Sequence, residues 1–127
     1  MLATFDRLQA ATSSPEVARL SKRVKRQLAQ DDREAVAALK RLAEPEVRAL
    51  LPLDLVEGSF YSVDAASYSE GGEKRLALYV AFVQDYRQVD CALEERVLTE
   101  VEHLLRAHNL QQVVADISVN TQQRRLP

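Results

Sequence analysis

Gly71-Gly72 lies between two stretches rich in β-branched, aromatic and small residues, "SFYSVDAASYS" before it and "KRLALYVAFVQ" after it. The chain has only three glycines, so an adjacent pair at this point constrains the fold. A two-residue loop that closes a hairpin needs positive φ, which glycine adopts without steric cost. The segment therefore predicts two antiparallel strands. The second is apolar on both parities over 76–83, as a central strand or one covered on both faces would be. That run is far too short for the roughly 20 residues of a membrane span.

Upstream of Pro52 the period is helical. Ser14 and Pro15 make a helix start, and Val17, Leu20, Val24 and Leu28 form one stripe, predicting a helix over about 15–30. Asp31 with Glu34 forms a capping-box pattern ahead of Val36, Leu39, Leu42 and Ala43, predicting a second helix over 32–44. Pro45 and Pro52 bracket a third short piece, 45–51, read as a separate start and stop. Leu2, Phe5 and Leu8 suggest a leading turn.

Downstream, "VDCALEERVLTEVEHLLRAHNL" has Leu93, Val97, Val101 and Leu104 on one face, Asp90 as a cap and Asn109 as a left-handed stop. A last strand, "QVVADISVN", alternates Val113, Ala115, Ile117 and Val119 against Val114, Asp116, Ser118 and Asn120. The expected class is α+β: helices over 1–52, a ββαβ core over 53–120 with a small, mainly antiparallel sheet, and a tail over 121–127, in one compact domain. The crossover helix should cover the face carrying Tyr61, Val63 and Ala65 with Val113, Ala115, Ile117 and Val119. The opposite face would then carry Phe60, Ser62, Asp64, Tyr68, Asp116, Ser118 and Asn120.

Charge divides the chain. Residues 1–52 hold ten Lys/Arg against seven Asp/Glu, and residues 53–127 hold seven against twelve, for a net charge of −2. The densest cluster is "RLSKRVKR", where Arg19, Lys22, Arg23, Lys25 and Arg26 lie opposite the apolar stripe of their helix. On an acidic domain without aromatic residues between the charges, such a cluster reads first as a solvated helix face and second as a nucleic-acid contact.

Catalytic signals are few. Glycine at 58, 71 and 72 alone leaves no room for a phosphate-binding loop or a dinucleotide fingerprint. The two histidines and one cysteine are too few for a structural zinc site. His103 and His108, five apart on a helix, point apart. A buried or half-buried structural role is expected for Cys91, and a single cysteine, unable to form an internal bridge, favours a reducing compartment. No cofactor, resident metal or catalytic set is expected. The one carboxylate pair to consider is Asp64 with Asp116 on a shared sheet face, which could hold Mg²⁺. The amino terminus has no basic leader ahead of a long apolar stretch, so a cytoplasmic location is expected and no membrane partner.

The order helix-β-β-helix-β is similar to the type II KH arrangement, a resemblance of topology that implies RNA or ribosome binding through the basic helix. The chain departs from that pattern in having no G-x-x-G loop between paired helices. The function expected first is a non-enzymatic interaction or assembly module, homo-oligomeric and most simply a homodimer, using the uncovered sheet face or the basic helix. RNA binding is the alternative, and a metal-dependent enzyme using Asp64 and Asp116 the second alternative.

Overall fold

Ala35, Ala38, Leu39, Leu42, Ala43 and Val47 recur at helical spacing and are all buried, and one helix, α1 (Asp32–Leu50), carries them. The computed structural model describes residues 22–26, 28 and 32–127. Ahead of α1, residues 22–26 and 28 are helical, with Val24 fully buried and Leu28 nearly so. The rest of the expected 15–30 helix, the leading turn and Arg19 lie outside the described residues.

Two helices were expected where α1 is continuous. A proline inside a helix loses one backbone hydrogen bond and crowds the preceding turn. Pro45 is exposed, however, and the buried stripe continues past it to Val47. Packing of the apolar side holds the helix together while the ring faces outward. A short helix that the sequence reading did not separate, α2 (Leu53–Glu57), follows Pro52 and buries Leu55.

The strands are β1 (Tyr61–Glu70) and β2 (Glu73–Asp85), then helix α3 (Leu93–Ala107), then β3 (Val114–Arg124). The hairpin turns at Gly71 and Gly72, both at positive φ, with Glu70 opposite Glu73. Strand order is β1-β2-β3, antiparallel for the first pair and parallel for the second. The sheet is thus mixed rather than mainly antiparallel, because α3 carries the chain back so that β3 runs alongside β2 in the same direction.

One core joins these elements. Leu76, Leu78, Val80 and Phe82 of β2 meet Leu39 and Val47 of α1 and Val97, Val101 and Leu105 of α3 in a single buried cluster. Polar bonds tie α1 to β1: Tyr61 Oη donates to Glu44 Oε1 at 2.7 Å and Ser67 Oγ to Asp32 Oδ2 at 3.0 Å. The bond to Glu44, then partial burial, raises the Tyr61 phenol above its ordinary pKa.

Asp90 organises the start of α3: its Oδ1 accepts the Ala92 N–H at 3.0 Å and its Oδ2 accepts from Arg96 Nη2 at 2.8 Å. Buried Gln84 clamps the same residue from the end of β2, accepting the Asp90 N–H at 2.9 Å and donating to the Asp90 carbonyl at 3.3 Å. Cys91 is exposed rather than buried, since it lies in the turn before the helix begins. At the far end Asn109 has φ of 55° and the Leu110 N–H donates to the Leu105 carbonyl at 2.8 Å, the Schellman closure.

His108 lies beside that closure, 7% exposed. Burial pulls its pKa below 6.5, opposed by the nearby Glu46 carboxylate. The sign follows. Below pH 6.5 the unfolded chain binds a proton that folded His108 resists, so this contribution to stability is full above 6.5 and is lost as pH falls toward the folded pKa. Urea unfolding of the wild type and of His108→Gln at neutral and mildly acidic pH should show a loss in the wild type that the variant lacks.

Candidate interaction face

Side chains alternate across a strand, and residues paired between strands share a face. The pairings Val63–Val80–Val119 and Ala65–Leu78–Ile117 therefore face the helices. The pairings Ser62–Ala81–Asn120, Asp64–Tyr79–Ser118 and Ala66–Ala77–Asp116 lie on the other side, with Tyr68 opposite Arg75 beyond them. Of the residues expected on this outer face, Ser62, Asp64, Tyr68, Asp116, Ser118 and Asn120 are on it by register.

Phe60 stands at the margin of that set, lining a cleft with Ser62, Ala81 and Asn120. It precedes β1, its ring lies against Gly58 where a Cβ would clash with it, and it packs on the core cluster. Its carbonyl accepts the Val83 N–H at 2.9 Å. The expected inward set also changes at its start. A β-bulge between Leu76/Val114 and Ala77/Asp116 inserts one extra residue, so Val114 is buried while Ala115 is exposed and Val113 is only partly covered. Simple alternation assigns Val114 and Ala115 the wrong way round, while Val113 packs against the core as expected, and it is right again from Ile117 onward.

The floor of the outer face is built from small residues, Ala66, Ala77 and Ala81, with Tyr79 standing above it at 45% exposed. Ala77 is 1% exposed, and Tyr68 has the Asp116 carboxylate of β3 as a neighbour. Its burial, then that carboxylate, raises the phenol above its ordinary pKa. Asn120 Nδ2 donates to Ser118 Oγ at 2.9 Å. At the β1 margin Lys40 of α1 reaches Asp64 at 3.2 Å. A shallow cleft of about 490 Å³ opens between Phe60, Ser62, Ala81, Asn120 and Gln122.

Asp64 and Asp116 do not converge. They belong to the two outer strands with β2 between them, a lateral spacing of about 9.6 Å, and each has its own partner. Among the described residues no group of three or more His, Cys, Asp or Glu side chains is placed to hold a metal ion.

The basic cluster has a different surrounding. Lys22, Arg23, Lys25 and Arg26 are exposed around buried Val24. Lys25 borders a groove of about 820 Å³ beside the hairpin end, with Lys74, Arg75 and Gln112. Two of those cations are already engaged: Arg75 donates to the Gln112 carbonyl at 2.8 Å and to Glu73 at 3.0 Å, and Lys74 lies 3.9 Å from Asp32.

Tyr79 is exposed between buried Leu78 and Val80, and its parity relative to those two residues is the signal in the sequence for that exposure. Among the described residues no helix is long and apolar enough to cross a membrane. Compared with family models, with curated proteins and with solved structures, the chain matches none.

Proposed function

We propose that the chain is a non-enzymatic interaction or assembly module that associates with itself through the outer side of its sheet. The observation that carries this reading is that, among the described residues, the sheet is covered on one face only. Helices α1 and α3 pack on one face, while Ser62, Asp64, Tyr79, Ala81, Asp116 and Asn120 on the other are exposed. Three strands covered on one side only form a marginal layer, and an aromatic residue above a floor of alanines invites close approach by a second surface.

Light scattering on the full chain across a dilution series tests it. The expected result is a mass that rises to twice the monomer value with concentration and is reversed on dilution. A monomer mass at every concentration would remove self-association.

A second reading, nucleic-acid binding through the basic helix, draws on the burial of Val24, which leaves Lys22, Lys25 and Arg26 exposed. Phosphate contacts release counterions, so steep salt dependence is the property that separates this reading from the first.

A further inference from the structure

Among the described residues, the margin of the sheet at β3 lacks the side-chain ties that α1 makes along β1. Along β1, Glu44 and Asp32 of α1 bind Tyr61 and Ser67, and Lys40 reaches Asp64. β3 is the last strand in the order β1-β2-β3, is 11 residues long, and carries no proline and no lysine. Those are the usual devices that keep such an edge from pairing.

The direction of its backbone groups follows from one hydrogen bond at its end. The Tyr86 N–H donates to the Arg124 carbonyl at 3.0 Å, so Arg124 turns its polar groups toward β2. Backbone direction alternates along a strand. Asn120 and Gln122 therefore also face β2, while Ile117, Val119, Thr121 and Gln123 direct N–H and C=O to the outer edge.

Charge then selects a register. β3 has two charged residues, Asp116 and Arg124, opposite Ala77 and Asp85 of β2 and so both on the outer face. An antiparallel copy of β3 related by a two-fold axis at Asn120 sets Asp116 against Arg124 of the second copy, and does so twice. The same register matches Ile117 with Gln123 and Val119 with Thr121, the positions whose backbone groups point outward. About eight backbone hydrogen bonds result. Sliding by two residues places Asp116 opposite Gln122 and leaves both charges without their partners. Sliding by one sets outward groups against inward ones.

We propose that β3 pairs antiparallel with β3 of a second copy about Asn120, joining two three-stranded sheets into one of six strands. The proposal rests on self-association of the chain but places the contact at the β3 edge, so that the outer faces of the two copies lie side by side rather than face to face. Asp116, Ser118 and Asn120 then face Arg124, Gln122 and Asn120 of the second copy in pairs without intervening backbone bonds, where Cα atoms approach to about 4.5 Å. That separation permits a disulfide.

Two sets of variants of the full chain test it. In a Cys91→Ser background, Asn120→Cys should form a covalent dimer under mild oxidation, while Asp64→Cys on β1 should not. Asp116→Arg and Arg124→Asp should each weaken the dimer about tenfold by setting like charges opposite each other twice, and the double variant should regain the lost affinity. A dimer that ignores all three charge variants and does not cross-link through Asn120→Cys would overturn this register and leave self-association standing. A wild type that stays monomeric at all concentrations would overturn both.

Discussion

Val80→Asn should cost about 3–5 kcal/mol of unfolding free energy, the sum of lost apolar burial and an amide left without partners. Tyr79→Asn, one residue earlier, should cost about 1 kcal/mol or less, as surface changes do. Val80 is fully buried between Val63 and Val119, whereas Tyr79 is 45% exposed between Asp64 and Ser118. Total stability of a domain this size is about 5–15 kcal/mol, so the first variant approaches the limit of folding at ordinary temperature. Urea unfolding of both variants reads the difference directly. A one-residue slip of β2 would exchange the two results, because it moves every side chain to the other face.

Leu110→Ala should cost about 2–5 kcal/mol. Leu110 is fully buried immediately after α3, and its backbone does as much as its side chain. Its N–H closes the helix onto Leu105, and its carbonyl accepts from Val113 at 3.0 Å and Val114 at 2.9 Å, which sets the entry to β3. The buried Leu105 and Leu110 side chains occupy the positions that normally touch in this closure. Truncating the second leaves a cavity where the helix hands over to the edge strand. Thermal unfolding measures the cost, and amide exchange should show earlier opening at the end of α3 than elsewhere in the helix.

Several features are legible in the sequence because local chemistry decides them. Gly71-Gly72 made the hairpin, and Asn109 took the left-handed conformation that closes α3. Leu93, Val97, Val101 and Leu104 are the buried face of that helix. Other features depend on partners distant in sequence. Pro45 looks like a boundary when only its own backbone is considered, yet tertiary burial on both sides carries α1 through it. The bulge at the start of β3 answers to the pairing of Leu76 with Val114, and no residue there announces it. Phe60 fills the space left at Gly58, a contact that alternation along the strand does not disclose.

The outer face shows the same division. Parity was enough to group Ser62, Asp64 and Tyr68, and to group Asp116, Ser118 and Asn120, but strand order decides which groups meet. With β2 in the middle, Asp64 turns to Lys40 and Asp116 to Tyr68, and the two carboxylates stay apart. Buried Gln84 and His108 gave no local sign at all, since glutamine and histidine near strand and helix ends are ordinarily exposed.

Residue-resolved amide exchange along β3, followed as the protein is concentrated, tests the central claim that this strand is where two copies meet. Amides of Asn120 and Gln122 should be protected at every concentration by β2, while those of Ile117, Val119, Thr121 and Gln123 should be open in dilute solution and become protected on association. Fast exchange at those four positions in a sample that light scattering shows to be dimeric would contradict it.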